Sequence, residues 1–79
     1  MPSVLRVGPH RFFFCSNEGS EPSHIHVETA ESYAKFWLGP VARASAVGHN
    51  ARELRELREF VLKHAAFFRE KWDGYFGGL

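Results

Sequence analysis

The stretch Glu21-Pro22-Ser23-His24-Ile25-His26-Val27-Glu28 decides how the rest of the chain is read. Strand side chains alternate with a period of two, so His24, His26 and Glu28 share one face while Ile25 and Val27 take the other. The apolar pair calls for a core. The two imidazoles and the carboxylate form a candidate site on the opposite surface. Upstream, Val4 to Val7 is a short β-rich run closed by the turn signal Gly8-Pro9. His10 to Ser16, with Arg-Phe-Phe-Phe-Cys inside it, then returns as the second strand of a hairpin. Asn17 to Ser23 reads as a polar loop. Downstream, Ala30 to Ser32 turns the chain, Tyr33-Ala34-Lys35-Phe36-Trp37-Leu38 is a strand, and Gly39-Pro40 stops it. Val41 to Val47 is rich in Ala and alternates weakly, which places it at an edge. The expected strands are therefore 3–7, 10–16, 24–29, 33–38 and 41–47.

From Asn50 the period changes. Leu54, Leu57, Val61, Ala65, Phe68 and Trp72 recur at spacings of three and four, the signature of one face of an amphipathic helix over 51–76. Asn50 is a favourable N-cap, with Glu53 at the position of a capping box. Gly77-Gly78 supplies the stop. The outer face offers Arg52 with Glu56, Arg55 with Glu59 and Glu59 with Lys63 as i,i+4 pairs on a solvated surface.

Taken strand by strand, the alternation puts Leu5, Val7, Phe12, Phe14, Ile25, Val27, Ala34, Phe36 and Leu38 on one side. Arg6, Arg11, Phe13, Cys15, His24, His26, Glu28, Tyr33, Lys35 and Trp37 fall on the other. A nearly pure apolar face thus separates from a mixed basic and aromatic one. The expectation is an α+β fold forming a single domain over 1–79. Its antiparallel sheet has four to five strands, with a long C-terminal helix on one face and the other face open. A helix of about 24 residues spans ~36 Å, against ~17–20 Å for a typical strand. It is therefore expected to overhang and expose Trp72, Tyr75 and Phe76 to a partner protein or a second copy.

Composition narrows the function classes. Of 79 residues only Cys15 is a cysteine, which excludes an intramolecular disulfide and fits a reducing cytoplasm. No apolar run approaches the ~20 residues of a membrane span, and Met-Pro-Ser-Val-Leu-Arg lacks the apolar core of a secretory signal. A net charge of +1 gives no overall pull toward nucleic acid, so only a local basic patch could do so. Eight Phe, two Trp and two Tyr exceed what so small a core readily buries, which points to a partner, a ligand or a second copy.

The mixed face admits three chemistries. In the first, His24 and His26 ligate a metal, with Glu28 or His10 as a third ligand; no close Cys or Asp completes the set. In the second, a His near neutrality beside Glu28 and Lys35 acts as a catalytic base on a ribose hydroxyl, and a Lys or Arg stabilises the phosphorane charge without a metal or other cofactor. In the third, Arg6, Arg11, Phe13, Tyr33, Lys35 and Trp37 bind single-stranded nucleic acid or a protein across the sheet. A purely structural alternative stands beside them: His24 hydrogen-bonds the loop before it, and His26 packs on Trp37. Cys15 reads as an inert small residue, and His49 and His64 as incidental.

Several stretches together resemble one small bacterial family, domain of unknown function 4160. They are Met-Pro-Ser-Val-Leu-Arg-Val, Arg11-Phe12-Phe13-Phe14, Ser16-Asn17-Glu18-Gly19, Glu21-Pro22-Ser23-His24-Ile25-His26-Val27 and Ala34-Lys35-Phe36-Trp37-Leu38, with Arg-Glu-Lys-Trp-Asp-Gly-Tyr-Phe near the C-terminus. The resemblance covers essentially the whole chain, and the Glu-Pro-x-His-Ile-His-Val segment is its most specific part. Val41 to Val47 departs from the family pattern in carrying fewer bulky side chains. The resemblance adds Asn17 and Glu18 to the candidate residues. It also implies a toxin–antitoxin context, because such proteins are encoded beside another small domain of unknown function. The expectation is a toxin-like cytoplasmic protein acting on RNA, with a cognate antitoxin-like partner and self-association. The competing expectation is a non-enzymatic binding module.

Overall fold

The computed structural model describes residues 3–77. Five strands precede two helices: β1 (Ser3–Val7), β2 (His10–Phe13), β3 (His24–Thr29), β4 (Ser32–Leu38), β5 (Val41–Val47), α1 (Ala51–Lys63) and α2 (Ala65–Phe76). The strands pair antiparallel in sequence order, β1-β2-β3-β4-β5, and both helices cover one face. The α+β class and the helix-covered antiparallel sheet agree with the alternation. Two elements differ from expectation. β2 ends at Phe13 rather than continuing to Ser16, and the single long helix is two helices.

The break falls at His64, where no Pro or Gly interrupts the sequence. The His64 ring stacks on Phe60 at 4.1 Å, and its Nδ1 donates to the Phe60 carbonyl at 3.0 Å. That carbonyl also receives the His64 backbone N–H at 3.1 Å. A side chain competing for a helical carbonyl loosens the local ladder. Beyond the break, α2 packs Phe68, Trp72 and Phe76 into the core instead of overhanging the sheet. Trp72 and Phe76, expected to be exposed, are each 6% exposed and belong to the core, whereas Tyr75 remains exposed.

The core packs Phe12, Phe14, Ile25, Val27, Ala34, Phe36 and Leu38 from the sheet against Leu57, Val61, Phe68, Trp72 and Phe76 from the helices. Full burial of such side chains contributes about 1.5–3 kcal/mol each. Phe12 stacks between Phe60 and Phe68, and Phe14 meets Trp72 edge-on at 5.3 Å. Arg69 donates to the Leu38 carbonyl at 2.7 Å, tying α2 to the end of β4. The Asn50 capping box starts α1 as its sequence indicates. Gly48, at φ +89°, turns the chain from β5 into α1, where a Cβ would meet Ser32.

β5 explains its own weak pattern. Its register shifts between Lys35 and Phe36, so that Lys35 pairs with Ser45 and Phe36 with Arg43, leaving Ala44 as the extra residue. This bulge lets Val41, Arg43 and Ala46 face the helices, while Ala42, Ser45 and Val47 lie opposite Trp37, Lys35 and Tyr33 on the other side.

Candidate functional site

The face away from the helices is built in rows. Across the sheet, Phe13 pairs with His26, His26 with Lys35, and Lys35 with Ser45. A neighbouring row runs Arg11, Glu28, Tyr33, and another sets His24 against Trp37. The alternation thus delivers the expected residues. It does not leave them open, because the segment between β2 and β3 folds back over them. Its turns are closed by Glu18 N–H to the Cys15 carbonyl (3.2 Å) and Glu21 N–H to the Glu18 carbonyl (3.1 Å). His24 is 0% exposed and His26 4%.

Glu18 is the hub. Its Oε1 accepts from His26 Nε2 at 2.6 Å and from His24 Nε2 at 2.9 Å. His24 Nδ1 donates to the Pro22 carbonyl at 2.9 Å. Both ring nitrogens of His24 thus face oxygen acceptors. His26 differs. Burial first, against the pull of Glu18, pushes its pKa below the usual histidine value. The neutral ring then donates from Nε2, and its Nδ1 accepts from the Tyr33 hydroxyl at 2.7 Å. Tyr33 is raised above its ordinary pKa chiefly by burial, with Ser45 in hydrogen-bond range opposing this. Burial alone would raise Glu18 too, but the hydrogen bonds from His24 and His26 outweigh it and hold the carboxyl at about 2. Beside this series, Lys35 Nζ donates to Glu21 at 2.9 Å and lies 4.6 Å over the Trp37 ring. Burial works against its charge, yet the Glu21 hydrogen bond and charge win and raise its pKa.

The site therefore gathers His24, His26, Lys35, Glu18, Tyr33, Trp37 and Phe13. Glu28 and Arg11 form their own exposed pair one row away at 3.3 Å, with Arg11 4.4 Å over Phe13. Arg6 is exposed opposite Arg11 on β1, and Asn17 is exposed in the covering turn. His24, rather than His26, packs on Trp37, edge-on at 5.6 Å, and it also meets Trp72 at 4.8 Å. Sequence reasoning missed Glu21 as the partner of Lys35 and Ser45 as the neighbour of Tyr33. Glu21 stood in the family-like motif, whereas Ser45 was hidden by the bulge.

Among the described residues, two groups of side chains have ligand atoms close enough to hold a metal: Cys15, Glu18 and His26, and Glu18, Glu21 and His24. Neither contains Glu28 or His10, the third ligands expected from sequence; His10 instead bonds Thr29 at 2.7 Å. Burial, with the Glu18 charge and hydrogen bond, raises the Cys15 pKa and favours its thiol form.

A family model described as Domain of unknown function (DUF4160) matches residues 10–73. The chain belongs to this family. The match runs from β2 into α2 and contains Glu18, Glu21, His24, His26, Tyr33, Lys35 and Trp37. No curated protein and no solved structure matches the chain. Among the described residues no helix is long and apolar enough to cross a membrane.

Proposed function

We propose that the protein is a toxin-like, partner-controlled protein that cleaves RNA without a metal, with Tyr33 as the group that meets the substrate. One observation carries this reading: the series Tyr33–His26–Glu18, with contacts of 2.7 and 2.6 Å, ends at a half-buried hydroxyl next to Lys35. A hydroxyl, a neutral imidazole accepting from it, and a carboxylate fixing the imidazole's other nitrogen repeat the logic of an activated nucleophile or relay base. The Tyr33 oxygen takes the proton of a ribose 2′-hydroxyl while passing its own to His26 Nδ1. Glu18 stabilises the imidazolium that forms. The 2′-oxygen attacks phosphorus, the bond to the 5′-oxygen breaks, and the proton returns to that leaving oxygen. Lys35 stabilises the charge on the phosphorane. His24 is a positioning residue here, since it is enclosed and holds Glu18 in place.

The toxin-like role, the cytoplasmic setting and the antitoxin-like partner come from the family resemblance, self-association draws on the exposed Phe67 and Tyr75, and all belong to the same proposal. The test uses purified protein and single-stranded RNA. Tyr33→Phe is expected to lower cleavage by at least about 100-fold, with products ending in a 2′,3′-cyclic phosphate and a chelator without effect. Intact RNA with the unaltered protein, or equal cleavage by Tyr33→Phe, overturns the enzymatic reading.

A second reading is a non-enzymatic binding module. It is favoured by the enclosure of both histidines and by the cation–aromatic pairs Arg11–Phe13 and Lys35–Trp37 on the accessible part of the face. In that case RNA or a partner protein binds and is released unchanged.

A further inference from the structure

Outside this face, α1 divides its charges between two flanks. On the side of β2, Glu53 and Glu56 line a cavity of about 260 Å³ with His10. On the side of β5, Arg55 and Arg58 join Arg43 around a cleft of about 400 Å³ floored by Phe36, Val41 and Leu54, with Ala42 at its rim. All three arginines are exposed, and among the described residues none of them forms an ion pair. Of the i,i+4 pairs expected on α1, only Arg52–Glu56 forms, at 3.8 Å, and it does not include these arginines.

The cleft and the Tyr33–Lys35 face meet across one narrow edge. Arg43 lies on the helix side and Ser45 on the other because of the extra residue Ala44. Two residues of strand cover only about 6–7 Å. Ala42, Ala44 and Ala46 keep that edge low, and β5 has β4 as its only neighbour in the sheet. We propose that Arg43, Arg55 and Arg58 form a binding site for backbone phosphates of single-stranded RNA, which crosses the β5 edge between this cleft and the Tyr33–Lys35 face. The guanidinium fork suits bidentate contact with phosphate, and three uncompensated charges attract an anion. Continuity with Lys35 favours an extended polyanion over an isolated ion. This site deepens the RNA reading and rests on RNA being the ligand, but it does not depend on cleavage.

The experiment measures binding of a fluorescent single-stranded RNA to the full chain over a salt series, in a Tyr33→Phe background. The triple variant Arg43→Gln/Arg55→Gln/Arg58→Gln is expected to weaken binding at least about tenfold at low salt. It should also reduce the log–log salt slope by about 2, the value for three phosphate contacts on a single strand. Arg52→Gln/Lys63→Gln/Lys71→Gln, which removes the same charge elsewhere, is expected to change the slope by less than half as much. Equal slopes for the two triples, or binding by the arginine triple at the parent's level, overturn the site. Equal affinity for a poly-glutamate of matched charge overturns its assignment to RNA in favour of an acidic protein. Cleavage assays with Tyr33 restored address the catalytic proposal alone, so the two can fail separately.

Discussion

Glu18 holds two imidazoles on a single oxygen, and this arrangement has a direct energetic signature. Removing the carboxylate leaves the buried Nε2 atoms of His24 and His26 without their shared acceptor. Glu18→Ala is therefore expected to destabilise the fold by about 2–4 kcal/mol, since each orphaned buried donor carries its full desolvation cost. Glu18→Gln keeps an oxygen in place and should cost roughly half as much. Urea unfolding of the two variants measures the difference. If alanine is the milder change, the carboxylate is not the hub described above. Both substitutions should also impair cleavage, because His26 then loses the group that stabilises its protonated form.

At the level of elements, the loop carrying Glu18 is held down by α2 as well as by the histidines. Gly19 lies against the buried Phe76 ring, and a Cβ there would come within 2.6 Å of Phe76 Cδ1. Gly19→Ala should displace either the loop or the end of α2 and cost about 1–3 kcal/mol, the range for overpacking. Hydrogen exchange should speed up in both segments together. Faster exchange in the loop alone would mean that α2 does not support the site. These couplings mark the limit of what the sequence discloses. The alternation of His24 to Thr29 and Tyr33 to Leu38 named both faces correctly, because central strands must sort apolar from polar side chains. Covering of the polar face was not legible, since period-two reasoning says nothing about where an irregular loop returns. Ala44 disguised β5, because one extra residue inverts the alternation partway along the strand. His64 hid the helix break, because neither Pro nor Gly marks it.

Over the whole molecule, the two clearly shifted groups of the hub set the same pH trend. The pKa values of His26 and Glu18 are both lowered in the folded state, so the stability linked to each is present above its unfolded value and is lost as pH falls. Stability should hold at neutral pH and begin to decline below the ordinary histidine value of about 6.5. It should fall more steeply from about 4.5 toward 2 as Glu18 is protonated, with a loss on the order of 2–3 kcal/mol from that group. Chemical denaturation across pH 8 to 3 tests this, and Glu18→Gln should flatten the lower limb. A decline of equal depth in the variant would place the acid sensitivity elsewhere.

The order of the sheet, in which each strand pairs with the next along the chain, also governs how the molecule comes into being. Every residue pair in the ladder is fewer than twenty residues apart along the chain, so little loop-closure entropy opposes zipping of the meander during synthesis. The helices follow the strands in the chain. A nascent chain that has already paired β1 to β5 still shows Phe12, Ile25, Phe36 and Leu38 to its surroundings, and only the emergence of α1 and α2 closes that surface.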